Sequence, residues 1–130
     1  MNDKKLWTVF SEFIRLRDSN DQGFCQCITC PRIKYYKEMD CGHGIGRQHK
    51  ATKFDEKNNN AQCKPCNGFE GGKREQYKVA INKKFGPQTW ELLEIKSKSV
   101  YKWSQFEVDQ LTIYYRKEVE KLKVKKQLRA

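Results

Sequence analysis

The 130-residue chain carries 27 Lys and Arg against 16 Asp and Glu, for a formal net charge of +11, and its isoelectric point is near 9.4. That length excludes a large multidomain enzyme, and the charge points to a polyanionic partner, nucleic acid ahead of an anionic membrane surface. No run of about 18 apolar residues is present to span a bilayer, and the opening MNDKKLWTVF lacks a signal peptide's apolar segment and cleavage site, so a cytoplasmic chain is expected.

Residues 3–17 predict an amphipathic helix, because Leu6, Phe10, Phe13, Ile14 and Arg17 recur at helical spacing and Trp7 widens the stripe. The polar cluster Asp18–Gly23 ends it. From Phe24 to Asn60 no helical period persists. Ile33, Tyr35 and the segment Met39–Ile45, with Gly42, Gly44 and Gly46, suit short strands and tight loops around a metal. Tyr35 and Tyr36 read as strand and core residues rather than base-stacking platforms. A second helix is expected from Cys66 or Asn67 through Tyr77, Ala80 and Ile81 to Phe85, stopped by Gly86-Pro87. A short helix with Trp90, Leu92, Leu93 and Ile95 follows. Ser104-Gln105-Phe106-Glu107 has capping-box spacing and opens the last helix, where Val108, Leu111, Tyr115, Val119 and Leu122 share a face. Its lysine-rich end, Lys121–Arg129, suits a solvated terminus or contacts along phosphates.

The six cysteines, Cys25, Cys27, Cys30, Cys41, Cys63 and Cys66, all fall within residues 25–66. A reducing cytoplasm disfavours disulfides. Cys27-Ile28-Thr29-Cys30 and Cys63-Lys64-Pro65-Cys66 both have CxxC spacing. Such a turn sets two thiolates about one tetrahedral edge apart, and two turns complete a four-sulfur cage for structural zinc. Cys25 and Cys41 are left over as small buried or partly exposed residues.

A simple zinc ribbon separates its pairs by about 15–20 residues, but the interval from Cys30 to Cys63 is far longer and holds both histidines, His43 and His49. Asp40-Cys41-Gly42-His43 lies mid-interval, Asn58-Asn59-Asn60 precedes the second pair, and Asn67 follows it. Asp40 and Asn67 offer hard oxygen ligands for Mg²⁺ or Mn²⁺. His43 is the natural general base to deprotonate an attacking water. Asn67 is expected at a helix N-terminus, which favours a DNA phosphate over a bare cation, so Asp40 and the phosphate would complete the metal's shell. Bland alternatives stand beside these readings: Asn67 also suits a helix N-cap, and the three asparagines suit a polar loop. Arg47, Lys50, Lys53, Lys73 and Arg74 are candidate phosphate contacts or ordinary surface charge. Glu70 fits a metal or water contact, or a first-turn helix acid.

His43, Asn58 and Asn67 are spaced like the triad of HNH, or ββα-metal, nucleases, and the four cysteines resemble the treble-clef zinc frame on which many of these enzymes are built. The string from Cys63 to Gly71 is similar to the matching stretch of phage T4 endonuclease VII, a junction resolvase. Closer still is the NinG/Rap recombination family of lambdoid phages. That likeness is carried by residues 10–18 (FSEFIRLRD), Cys27-Ile28-Thr29-Cys30, Asp40-Cys41-Gly42-His43, residues 54–58 (FDEKN) and residues 62–67 (QCKPCN), with Tyr77, Gly86 and Trp103 also in place. It runs from Leu6 to Lys121.

The resemblance implies an α+β fold: a small ββα-metal (HNH) treble-clef zinc core over about residues 24–86, flanked by helices at 3–17 and 88–128, all in one domain of residues 1–130. It implies a structure-selective DNA endonuclease acting on D-loops and Holliday-type junctions. His43 would be the general base and Asn58 would hold the loop that orients it. Asn67 would bind the catalytic cation, and Cys27, Cys30, Cys63 and Cys66 would hold zinc. Gly42 stands where many HNH enzymes carry a metal ligand, which leaves Asp40 or His49 as the second one. Water attack in line on phosphorus should leave 5′-phosphate and 3′-hydroxyl ends. A non-catalytic treble-clef DNA-binding module and a weakly selective HNH nicking enzyme are the competing expectations. Symmetric cutting of a junction would favour a homodimer.

Overall fold

The computed structural model describes residues 2–69 and 71–128. Helix α1 (Lys4–Arg17) leads into strand β1 (Phe24–Gln26), which pairs antiparallel with β2 (Ile33–Tyr35). A single 3₁₀ turn at Tyr36–Glu38 leads into β3 (Asp40–His43), and a long irregular segment separates it from its antiparallel partner β4 (Asn59–Gln62). Three helices follow, α2 (Arg74–Phe85), α3 (Thr89–Ser97) and α4 (Gln105–Lys125). Helices with two small two-stranded antiparallel sheets make this an α+β fold.

The main core lies between α1 and α4. Leu6, Phe10, Phe13, Ile14 and Leu16 are buried on α1 and meet Val108, Tyr115 and Val119 of α4. Phe10 sits edge-on to both Phe54 and Tyr115, at centroid separations of 5.5 and 5.0 Å. Burial of each large side chain is worth about 1.5–3 kcal/mol, so this stripe anchors the terminal helices to one another. Leu16 completes it where the sequence had suggested Arg17, whose guanidinium instead turns to Asp18 and the backbone of β4. A smaller cluster of Ile45, Tyr77, Ile81, Trp90 and Leu93 packs α2 and α3 against the loop after β3.

The capping box at α4 forms as its sequence predicts: Glu107 N–H donates to Ser104 Oγ at 3.1 Å, and Ser104 N–H donates to Glu107 Oε1 at 3.1 Å. Three expectations need correction. The helix expected from Cys66 to Phe85 is broken. Pro65–Phe69 form one π-helical turn, and α2 starts only at Arg74, because Gly71 (φ 64°), Gly72 (φ 81°) and Lys73 (φ 49°) run left-handed. Glycine adopts that conformation without the Cβ penalty that other residues meet. In α3, Leu92 and Ile95 are 63% and 67% exposed; only Trp90 and Leu93 of the predicted apolar set turn inward. The lysine-rich end of α4, expected as a solvated terminus or as contacts along phosphates, has one lysine spent inside the fold. Lys126 Nζ donates to the carbonyls of Leu16 and Ser19 at 2.6 Å each, satisfying the C-terminus of α1. Arg129 lies outside the described residues.

Candidate active site

Cys27 and Cys30 come from the turn after β1, and Cys63 and Cys66 from the turn after β4. Their four sulfurs all lie within 4.8 Å of one another. The Sγ atoms of Cys30 and Cys63 are 3.6 Å apart, close to the ~3.8 Å edge of a tetrahedron with 2.3 Å zinc–sulfur bonds. Cys27 Sγ accepts from the backbone N–H of Cys63 (3.3 Å) and of Thr29 (3.5 Å), and Arg32 Nη1 donates to the sulfurs of Cys30 and Cys63. Burial raises the Cys63 thiol, but donors from Cys66, Arg32 and Cys30 outweigh it and bring it to about 7. Donors aimed at sulfur favour the thiolate that a metal needs. The four cysteines therefore form a cluster able to bind zinc. Cys25 and Cys41 are buried outside it, and burial pushes the Cys25 thiol up to about 11.

The β3–β4 hairpin pairs Asp40 with Gln62, Cys41 with Ala61, Gly42 with Asn60 and His43 with Asn59. The asparagines are not a polar loop: Asn58, Asn59 and Asn60 are all fully buried. Asn58 Oδ1 accepts from Ile45 N–H at 2.7 Å, while its Nδ2 donates to the carbonyls of Ile45 (2.9 Å) and Thr52 (3.1 Å). One carboxamide thus ties both sides of the loop that follows His43. Asn59 Nδ2 donates to the carbonyls of Lys53 (3.1 Å) and Asp55 (2.7 Å). Asn60 Nδ2 donates to Lys57 O and to the Tyr77 hydroxyl, which itself donates to Gly42 O at 2.7 Å. Gly42 needs to be glycine for lack of room: a Cβ there would meet the Gln62 side chain at 2.0–3.0 Å. Any side chain at that position would collide with Gln62.

His43 is half-buried. Its imidazole stacks on the Trp7 indole at 4.8 Å and 18°, and Nε2 lies 3.3 Å from the carbonyl of Lys53. The tautomer with hydrogen on Nε2 donates to that carbonyl and leaves Nδ1 with a free lone pair. Burial lowers the His43 pKa to about 4; the Arg47 and Lys53 charges add to this and outweigh the opposing bond to Lys53. His43 shares a cleft of about 550 Å³ with Asp40 and Asn67. Asp40 Oδ2 accepts from Asn67 Nδ2 at 3.0 Å, and Oδ1 accepts from Lys64 Nζ at 2.7 Å. Burial pushes the Asp40 carboxyl up, but the hydrogen bonds from Lys64 and Asn67 and the Lys64 charge prevail, holding it below its ordinary value and so ionised at neutral pH. Asp40 and Asn67 thus meet through the asparagine's amide nitrogen, and both oxygens of Asp40 already accept a hydrogen bond.

Several predicted positions lie elsewhere. Asn67 is inside the π-helical turn, with its own N–H bonded to Cys63 O at 2.9 Å, so it is neither a helix N-cap nor part of a free N–H cradle. His49 does not line the cleft. Of the five predicted phosphate contacts only Arg47 lines it. Lys53 Nζ is ion-paired to Asp3 Oδ2 at 2.7 Å and is largely buried. Lys50 is exposed, and its carbonyl accepts from Trp103 Nε1 at 2.9 Å. Lys73 occupies the left-handed turn before α2, and Arg74 is exposed at the helix start. Glu70 lies outside the described residues.

The sequence reading missed Trp7, Ser11 and Arg15 of α1 and Lys37 and Lys64, which line the cleft. It also missed Asn59, which bonds the same Lys53 carbonyl as His43. A four-residue spacing through Trp7, Ser11 and Arg15, beside the apolar stripe, was the available signal. A larger groove of about 1040 Å³ lies between the Cys27–Cys30 turn and α2. It is lined by apolar residues such as Ile28, Pro31 and Val79 and by no histidine, and its Asp18 is tied to Arg17, Lys84 and the N–H of Ala61.

The family model of the bacteriophage lambda NinG protein matches residues 2–126. The chain belongs to the NinG family. Neither the curated proteins nor the solved structures give a match. The NinG match spans the cysteine cluster, the β3–β4 hairpin and all four helices, so it covers every element that builds the cleft. Among the described residues, no helix of this NinG chain is long and apolar enough to cross a membrane.

Proposed function

We propose that this NinG-family chain is a metal-dependent DNA endonuclease of the HNH type that cuts branched intermediates of phage recombination. One observation carries the reading. Asp40, His43 and Asn67, up to 27 residues apart in sequence, face a single cleft beside the four-cysteine cluster. The order of the β3–β4 hairpin, the turn at Cys66 and α2 supports this reading, because a ββα-metal core would run in that order, and a formal charge of +11 suits a phosphate-rich partner.

In this reading Cys27, Cys30, Cys63 and Cys66 would hold a structural zinc that fixes the turn bearing Asn67 relative to β3. Asp40 and Asn67 would hold Mg²⁺ or Mn²⁺, with Lys64 giving up its place on Asp40 Oδ1 and the Asn67 carboxamide turned so that its oxygen replaces the nitrogen now facing Asp40. When bound, that cation neutralises charge on the scissile phosphate and stabilises the leaving oxygen. His43 is neutral above pH 5 or so, since burial keeps its pKa near 4, and Nδ1 is open to take a proton from water. A phosphate arriving beside it favours the imidazolium, so its basicity rises as the proton is transferred. Water oxygen bonds to phosphorus, the bond from phosphorus to the 3′ oxygen breaks, and the products carry 5′-phosphate and 3′-hydroxyl ends. Asn58 and Asn59 would act by position: Asn59 holds the Lys53 carbonyl that His43 meets, and Asn58 ties the loop at Ile45 and Thr52.

The test is cleavage of a synthetic four-way junction, with a linear duplex beside it, by wild type and His43→Ala in Mg²⁺ or Mn²⁺. Junction cutting by wild type that falls at least 100-fold in the variant is expected, in line with the ~10²–10⁴-fold contribution of a general base. Binding without cutting in either protein would leave a zinc-stabilised DNA-binding module instead. Equal cutting of junction and duplex would indicate a nicking enzyme with little selectivity.

A further inference from the structure

Helix α1 buries one stripe in the core and presents another to the cleft. Trp7, Ser11 and Arg15, one helical turn apart, all line it. Trp7 is engaged with His43. Arg15 is half-buried, and its guanidinium is held by neutral acceptors only. Nε donates to Ser11 O (3.1 Å) and Ser11 Oγ (3.2 Å), and Nη1 donates to Tyr36 O (3.0 Å). Among the described residues no carboxylate pairs with Arg15, and Nη2 has no hydrogen-bond partner. Arg17, two residues on, shows the contrast. Its guanidinium bonds Asp18, Glu56 O, Asn59 O and Asn60 Oδ1, which makes it a strut between α1 and β4.

A guanidinium fixed by Ser11 and the Tyr36 carbonyl, hydrogen-bonded to no carboxylate among the described residues and acting on Asp40 across the cleft only through space, keeps a donor open for an anion. Its planar donors suit the oxygens of a phosphate better than a lysine's single ammonium does. The cleft also holds Asp40, whose carboxylate accepts from Lys64 and Asn67 and not from Arg15. We infer that Arg15 is a catalytic residue that holds a non-bridging oxygen of the scissile phosphate through its free Nη2, so that α1 completes the active site from outside the zinc-framed hairpin. This rests on the phosphodiesterase reading above for its catalytic half. Because the Ser11 and Tyr36 bonds position the guanidinium before substrate arrives, its stabilisation of developing charge needs no reorganisation during the reaction.

The experiment compares wild type, Arg15→Lys and Arg15→Gln on the four-way junction. Single-turnover cleavage is measured with Mg²⁺ at saturating enzyme, and junction binding is measured separately in EDTA-free buffer without divalent cation. Arg15→Lys should cleave about 10²–10³-fold more slowly, the usual loss for one transition-state donor, while binding the junction within about threefold of wild type, because the net charge is kept. Zinc content and circular dichroism should match wild type. Cleavage by Arg15→Lys within threefold of wild type overturns the assignment. So does loss of zinc or helicity in both variants, which would make Arg15 a scaffold residue. A wild type that never cleaves removes the nuclease reading but leaves the anion site open to its own measurement. Inorganic phosphate titrated into the wild-type chain should then shift the Arg15 Nε–H resonance saturably, and no shift overturns the site itself.

Discussion

Asn58→Ala tests whether a buried carboxamide organises the loop behind His43. The substitution removes three hydrogen bonds, to Ile45 N–H, Ile45 O and Thr52 O, from a fully buried position. Leaving the Ile45 N–H without a partner costs about 1–3 kcal/mol, and the two lost carbonyl bonds add about 0.5–1.5 kcal/mol each, for a total of about 2–6 kcal/mol. For a chain of this length each kcal/mol moves Tm by roughly 4 °C, so a fall of about 8–24 °C is expected in thermal unfolding followed by circular dichroism with zinc held constant. Hydrogen exchange at the Ile45 amide should speed up more than at α1 amides. Asn58→Asp gives the second reading. Its carboxylate still accepts from Ile45 N–H, but its other oxygen then faces two carbonyls, which raises the folded-state pKa. A raised folded pKa contributes stability that is present at low pH and lost as pH rises through it, so this variant should regain stability on acidification. A Tm drop under about 2 °C in Asn58→Ala, the range of surface substitutions, together with unchanged Ile45 exchange, refutes the reasoning.

The depressed His43 pKa carries its own signature. In the free protein its ring resonances should titrate near pH 4, well below the ordinary value of about 6.5. Since the unfolded chain takes up that proton first, His43 costs the folded state stability as pH falls from 6.5 toward 4. Trp7→Ala, which uncovers the ring, should move the titration upward; an unchanged midpoint near 4 would mean that the indole contributes no shielding. Strong chelation or Cys63→Ser should unfold the chain's centre, because structural zinc supplies on the order of 10 kcal/mol in small domains; an unchanged circular dichroism spectrum after verified zinc loss would refute the metal's structural role. Ser104→Ala should cost about 1 kcal/mol through the lost capping box, read as a Tm decrease of roughly 4 °C with junction cleavage unchanged.

Local signals carried the parts of this protein that depend on near neighbours. The two CxxC turns, the α1 stripe from Leu6 to Ile14 and the capping box at Ser104 are each set by spacing over a few residues. Each is found where that spacing placed it. The break between Asn67 and Arg74 was also local, written in Gly71-Gly72, but the helical period on either side concealed it. Arg17 and Lys126 fell into patterns, an apolar stripe and a basic tail, that say nothing of the distant carbonyls that each side chain reaches.

What the sequence determined by itself was the chemical inventory: four thiols in two clips, Asp40 and His43 in one short segment, Asn67 beside a clip, and an excess of positive charge. What only the tertiary structure decided was which groups share the cleft and which are already spent. Lys53 is neutralised by Asp3, His49 lies outside the cleft, and Trp7 and Arg15 enter from a helix far earlier in the chain. The physical reason is that a side chain's role follows from its partners. A carbonyl or carboxylate that claims a charge can sit dozens of residues away, where no periodicity or spacing rule connects the two.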